Sequence, residues 1–398
     1  MQKSEISKNK FGWNFPIPSK LTAQKPELLF PMKTHASTFR HLATAVALVL
    51  GASAQTSFAQ TTATTDPVGF ITLTVAGGGS VTSPKLSLVS PTVTQPISWQ
   101  GAITGVVGTG SGPTATTTIT VSSTPSAPWT VNQFNGAAGN FFVEIVTVLP
   151  NTHTTGALAV ISATTANSIT VAGNLTSPNV FAQVGDSIRI RKEMTFNDTL
   201  GAMNTAGLLS TDDPTTSDEV LVYDGASSVS YFYYIGDPSN PAGWYNSTSF
   251  LPAGNVVIGP HQGMVIKRKA AAQLSFTANG AVKTGNTLFP VVNGLNVLGT
   301  VSAQGLTLAA SGLYTGSATT GVKPSDDPTT GDEVTIYSGA NQGSYFYYTG
   351  DVSNPAGWYG SSTFLPAGTA VLQPGAAFVL NRKGGAAFNW SLPSPTSF

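Results

Sequence analysis

The sequence predicts an all-β protein: a small amino-terminal β-barrel or sandwich domain followed by two tandem β-rich repeats. Three observations predict it. Residues 211–269 align without a gap on residues 325–383, and 36 of the 59 pairs are identical; self-similarity on that scale means one structural unit built twice. Short alternating runs of Val, Ile, Thr, Tyr and Phe recur between clusters of Gly, Pro, Asn and Asp, the pattern of strands joined by turns. No stretch sustains a 3.6-residue apolar period with helix caps.

Composition narrows the function classes. The 398 residues include 42 Gly, 26 Pro and no Cys, and only 9% are charged. The lack of cysteine removes disulfide scaffolds, cysteine zinc sites and thiol catalysis. Eighteen basic residues balance 18 acidic ones, so there is no basic footprint for nucleic acid. An apolar content of 41% over this length supports two or three domains with real cores.

In chain order, residues 1–59 read as a leader. Lys33, His35, Arg40 and His41 precede the apolar run 42–51, and small residues follow from Ala52 to Ala59. That is a secretory signal peptide, too short to span a bilayer that needs ~20 apolar residues; Met32 is a candidate true start. Its removal takes seven basic and two acidic residues, leaving 11 and 16, a net charge of −5. No later segment has the length and apolarity of a membrane helix, so no transmembrane segment is expected after signal removal. The expected location is outside the cytoplasm: extracellular or outer cell surface, with the periplasm as the other compartment.

Residues 64–195 read as the amino-terminal β domain, with strands at 68–75, 115–122, 140–147, 156–162, 167–172 and 186–191. Residues 103–116 read as a low-complexity hairpin end or loop. Alternation from Ser187 turns Ile188 and Ile190 inward and leaves Arg189, Arg191 and Lys192 as a solvated face. The first repeat is placed at 196–288, the second at 289–392, and a loose tail at 393–398. Each repeat carries a hairpin: Glu219–Tyr223 and Val229–Ile235 around Asp224-Gly225, then the equivalent strands around Ser338-Gly339. Last strands are expected near 255–269 and 369–383, and short helices around 198–209 and 302–312. Lys267, Arg268 and Lys269, with Arg382 and Lys383, end strands and are expected to keep edges soluble.

Two sets of residues are candidates for binding. All 11 tyrosines lie beyond residue 220. Tyr231 and Tyr233, repeated as Tyr345 and Tyr347, share a strand face; Trp244, Tyr245, Trp358 and Tyr359 fall in Pro/Gly-rich loops. Exposed, such rings stack on sugars or on another protein; the competing reading is cross-strand packing. The acidic cluster Asp212, Asp213, Asp218, Glu219, repeated as Asp326, Asp327, Asp332, Glu333, is the metal candidate, with calcium as the ion suited to oxygen ligands. Its competing reading is turn chemistry, in which carboxylates accept backbone N–H bonds.

No catalytic residue is assigned. After the leader only His153 and His261 remain among histidines, and only Glu144, Glu193, Glu219 and Glu333 among glutamates. Neither a zinc-protease helix motif nor a G-x-S-x-G elbow occurs. A hidden hydrolase or lyase would require Glu144 or His153 to meet a second titratable group in a pocket.

Asp66-Pro67-Val68-Gly69-Phe70 just after a signal peptide, the progression FFVEIVT…GALAVIS…SITV…GDSIRIRK over 141–192, and the closing segments Val257–Lys269 and Val371–Lys383 resemble an uncharacterised family of secreted bacterial β-proteins abundant in Verrucomicrobia-type bacteria. The likeness covers most of the chain after the leader. It implies export and β architecture, and carries no mechanism. The expectation from the sequence is an exported, non-enzymatic structural or adhesive protein of the cell envelope or extracellular space. Its partner would be an envelope polysaccharide or protein, or a second copy of itself, met through sheet edges and aromatic loops. The alternatives are a pair of carbohydrate-binding modules, calcium-assisted or not, and a cryptic hydrolase or lyase.

Overall fold

The computed structural model describes residues 66–123, 127–146, 153–225, 227–338 and 341–393; the leader and residues 394–398 of the expected tail lie outside them. The chain opens with β1 (Val68–Val75) and β2 (Lys85–Val89). Six strands follow: β3 (Ile97–Thr109), β4 (Thr116–Val121), β5 (Phe141–Val146), β6 (Leu158–Thr164), β7 (Ser168–Ala172) and β8 (Ser187–Lys192). Next come β9 (Met194–Thr195), a helical turn at Asn197–Gly201, β10 (Glu219–Asp224), β11 (Ser227–Tyr234), β12 (Gly243–Asn246), β13 (Val257–Ile258), β14 (Met264–Arg268) and β15 (Leu274–Ala281). The last third holds β16 (Thr287–Val291), β17 (Gly294–Gly299), β18 (Leu306–Thr307), a turn at Leu308–Ala310, β19 (Glu333–Ser338), β20 (Asn341–Tyr348), β21 (Gly357–Gly360), β22 (Val371–Leu372), β23 (Ala377–Arg382) and β24 (Phe388–Leu392). The fold is all-β, as the alternation required; the expected helices reduce to the two short turns.

Strands β3 to β8 close into a barrel in the order β3-β4-β7-β6-β5-β8. Alternate residues point inward, and Ile119, Val143, Ile145, Ile169, Val171, Ile188 and Ile190 are all buried there. A chain of edge-to-face rings, Trp99, Trp129, Phe134 and Phe141, extends that core. The run 103–116, expected as a hairpin end or loop, is the end of the β3–β4 hairpin: its first half, 103–109, is strand β3, whose bulges let thirteen residues follow the barrel's curvature.

The two repeats have matching sheets. The first is β12-β11-β10-β14-β2 and the second β21-β20-β19-β23-β17. Each is backed by a ribbon, β1-β15 or β16-β24, and a short pair, β9-β13 or β18-β22. Strands β1 and β2 thus belong to the first repeat, and the barrel is inserted between β2 and β9. The grouping of 64–195 as one domain differs from this pairing: the barrel occupies 97–192, while 68–89 hydrogen-bonds to β15 and β14. Local alternation cannot reveal that partnership, because register is set by which distant strand buries the same face.

The repeats pack against each other through the same patch of each. Leu88, Leu221, Tyr223 and Val265 of the first meet Val297, Ala377 and Val379 of the second. The contacts are reciprocal: Val89 bridges Ala376 while Leu298 bridges Gln262, and Ser90 N–H reaches Gly375 O at 3.0 Å while Gly299 N–H reaches His261 O at 2.9 Å. This is the self-complementary geometry of a two-fold dimer, held within one chain. Gly263 lies in this seam; a Cβ there would stand 2.5 Å from the Ala377 Cβ.

Candidate binding grooves and buried charge clusters

The tyrosine-rich hairpins are packed on both faces. Tyr233, Trp244 and Tyr245 are buried, as are Trp358 and Tyr359, while Tyr231, Tyr345 and Tyr347 are half-buried. Trp244 and Trp358 sit on edge strands β12 and β21 with their rings in the repeat cores, not on open loops. On the other face Phe232, Tyr234, Tyr245 and Phe250 form a small aromatic box, repeated as Phe346, Tyr348, Tyr359 and Phe364. Phe250 and Phe364 have φ of 56° and 52°, a strained conformation for a bulky residue, and their rings lodge in the box. Cross-strand packing is therefore what most of these rings do.

The repeated FLPAG segment begins with that phenylalanine and turns back along the edge strand. Ala253 N–H donates to Trp244 O and Ala367 N–H to Trp358 O, each at 2.7 Å. These edges are covered, so the expected contact through open sheet edges does not hold at β12 and β21.

Between that cover and the preceding helical turn each repeat has a groove. In the first, Pro241, Ala242, Trp244, Tyr245 and Pro252 face Asn197 and Ala202 across about 300 Å³. In the second, Pro355, Ala356, Trp358, Tyr359 and Pro366 face Ala309, Tyr314 and Tyr347 across about 470 Å³. Tyr314 stacks on Tyr347 with ring centres 3.5 Å apart. Burial raises the Tyr347 hydroxyl above its ordinary pKa, with the neighbouring Tyr314 adding to the shift. The structure thus brings five of the eight aromatic candidates to grooves: Trp244 and Tyr245 to one, Tyr347, Trp358 and Tyr359 to the other. Tyr314 lay outside the repeated segment that drew attention to the rest.

The acidic clusters divide in two. Asp218 and Asp332 are fully buried and ion-paired with Arg268 and Arg382. Each also accepts the next lysine's backbone N–H, at 2.6 Å from Lys269 and 2.8 Å from Lys383. Glu219 takes Lys267 at 2.9 Å and Lys269 at 2.7 Å, and Glu333 takes Lys383 at 3.1 Å. Burial pushes the Glu219 carboxyl up, but hydrogen bonds from Lys269, Ser230 and Lys267 outweigh it and hold the group below the usual carboxylate range. Asp213 and Asp327 cap turns: their carboxylates accept from Thr215 N–H and Thr329 N–H at 2.7 Å, which lowers both pKa values. Asp212 and Asp326 are exposed. No group of three or more acidic or histidine side chains is placed to hold a metal ion among the described residues.

Three readings of basic residues are corrected. Arg191 and Arg382 are fully buried, and Arg268 and Lys269 are buried too; none of them solubilises a face or an edge. Arg191 joins Asp66 and lies 3.5 Å from Glu144, which Lys283 reaches at 2.7 Å. This cluster ties the barrel (Glu144, Arg191) to the chain before β1 and after β15, the two sides of the first repeat. Desolvation lowers the Lys283 pKa, while the Glu144 charge opposes that shift. A clean alternation cannot show that an outward residue of a barrel strand faces another module.

Two further clefts flank the barrel. One, about 540 Å³, holds Glu193, whose carboxyl burial pushes up, and Asp198, which accepts Thr195 N–H at 2.9 Å. The other, about 590 Å³, holds His153, whose Nε2 is 2.8 Å from Asp186 Oδ2. His153 thus meets a second titratable group in a cleft. Glu144 meets Lys283 in a sealed junction. Among the described residues no helix is long and apolar enough to cross a membrane. No family model, curated protein or solved structure matches the chain.

Proposed function

We propose that the protein is an exported, non-enzymatic structural or adhesive protein of the cell envelope or extracellular space, which holds a partner through the paired grooves of its repeats. The observation that carries this reading is the duplication of the groove itself: Pro241–Tyr245 with Pro252 and Pro355–Tyr359 with Pro366 line equivalent hollows within one chain. Two linked weak sites on a rigid scaffold raise avidity by ~10²–10⁴ when both engage. The leader composition and the resemblance of 66–70 and 141–192 to secreted β-proteins support export.

The second reading, a pair of carbohydrate-binding modules, is favoured by one feature, the stacked Tyr314–Tyr347 pair at the larger groove; a half-exposed aromatic face suits the apolar face of a sugar ring. The acidic clusters are assigned to turn chemistry and ion pairing, with no calcium requirement. Sedimentation of the full chain with isolated cell-envelope material tests the reading. Ala242→Trp and Ala356→Trp each fill one groove; each is expected to weaken retention, and the double variant to abolish it. Undiminished retention in the double variant overturns the groove assignment. Light scattering with calcium and then with chelator is expected to give one assembly state; calcium-dependent assembly would return the acidic clusters to metal binding.

A further inference from the structure

We infer that the cleft between the barrel and the second repeat is a separate binding site for an uncharged, hydroxyl-rich ligand, a neutral glycan chain, and that His153 is its recognition residue. The His153 side chain is 4% exposed and Asp186 2%. Asp186 Oδ2 also accepts Gln183 N–H at 2.9 Å, which fixes the carboxylate and aims Nε2 of the ring at it. The other ring nitrogen, Nδ1, is buried with no hydrogen-bond partner among the described residues, although a buried polar atom left unmatched is costly. The ring lines the cleft.

The chemistry of the ligand follows from the walls. Thr315, Thr319, Thr320, Asn389 and Ser391 contribute hydroxyl and amide groups on the repeat side, and Phe181 a half-buried ring on the barrel side. Among the described residues His153 is the one titratable side chain lining the cleft, and Asp186 balances it in either state, so no free positive charge there meets a phosphate or carboxylate. A sugar hydroxyl both donates and accepts, so it satisfies Nδ1 whether the ring is neutral or charged. Uncharged polar walls with an aromatic face suit a pyranose, which has hydroxyl edges and an apolar face. This site is distinct from the duplicated grooves and occurs once, because the barrel is inserted into one repeat only.

Calorimetric titration of the full chain with maltohexaose, cellohexaose, xylohexaose and mannohexaose tests this, with polygalacturonate as the charged comparison. At least one neutral chain is expected to bind, and polygalacturonate is not. Thr319→Trp, an exposed position at the cleft, and His153→Gln are each expected to weaken binding about tenfold, the scale of one lost buried hydrogen bond. The His153 Nδ1 nitrogen resonance, assigned by its loss in His153→Gln, is expected to move on binding in the unaltered chain. The proposal is overturned if no neutral chain binds, if Thr319→Trp binds as well as the unaltered chain, or if Nδ1 does not move. Ala242→Trp and Ala356→Trp should leave this binding unchanged, which separates its failure from that of the groove reading.

Discussion

The two repeats began as one sequence and now differ in what surrounds them. Their sheets, buried arginine–aspartate pairs and aromatic boxes match strand for strand. The first repeat is split by a barrel between β2 and β9, whereas the second is continuous. Their grooves differ because Asn197 and Ala202 stand where the second copy has Ala309 and Tyr314. At the interface His261 of the first copy stacks on Phe289 at 4.9 Å. The equivalent Gly375, at φ 78°, brings bare backbone against Ile71 and Leu73, which a Cβ would approach to 3.0 Å. The difference teaches that duplication preserves what must be paired in the interior. The helical turns beside the grooves and the residues at the seam have diverged instead.

The largest test of that comparison concerns the buried pairs. Arg382→Met strips Asp332 of its ion-pair partner in a site with no exposure and is expected to cost about 3–5 kcal/mol. Arg268→Met should cost a similar amount in urea unfolding of the full chain. A loss under about 1 kcal/mol in either copy would show that the pairs are not equivalent supports.

Next, Lys283→Met leaves Glu144 with Arg191 as its remaining cation. A cost of about 3 kcal/mol is expected, with the barrel melting apart from the repeats in calorimetry. A single unshifted transition would mean that Leu288, which bridges Ala157, is enough to hold the modules together.

A smaller effect separates His261 from Gly375. Burial lowers the His261 pKa from 6.5 to about 4. Its unfolded form therefore binds a proton as pH falls below 6.5 while the folded form resists, so stability is lost between pH 6.5 and about 4. At most about 3 kcal/mol is lost across that window, and His261→Asn should flatten that part of the pH profile. An unchanged profile would place the acid sensitivity elsewhere.

The smallest effect should be the same in both copies. Tyr234 and Tyr348 donate to Asp237 and Asp351 at 2.5 and 2.6 Å, and those bonds push both hydroxyls from 10 up to about 12. Unfolded tyrosines ionise first, so stability should fall as pH rises from 10 to about 12. Tyr234→Phe and Tyr348→Phe should remove equal parts of that alkaline loss. Unequal parts would show that the aromatic boxes have diverged.

Much of the fold was legible. The expected strand at 68–75 matches β1, and those at 140–147, 167–172 and 186–191 match β5, β7 and β8 within a residue, because period-two alternation is a local signal. Strands β12, β16 and β17 escaped notice, since Gly, Pro and Asn interrupt their alternation. The candidate site was less legible. The aromatic and acidic residues stood out by repetition, which marks a shared unit and does not separate core from surface. Asp186, quoted only within the resemblance, and Tyr314, outside the repeated segment, complete the His153 pair and the larger groove, and neither stood out as a site residue.

The sequence by itself determined the all-β class, the duplication and the alternating faces of the barrel strands, since each depends on residues a few positions apart. Only the tertiary structure decided that β1 and β2 belong to the first repeat and that Arg191, Arg268 and Arg382 are buried beside carboxylates. It also decided that Trp244 and Trp358 face inward and that His153 meets Asp186 at a cleft. Those outcomes depend on which distant strand supplies the hydrogen bonds and which module covers an outward face, and neither is written in local spacing.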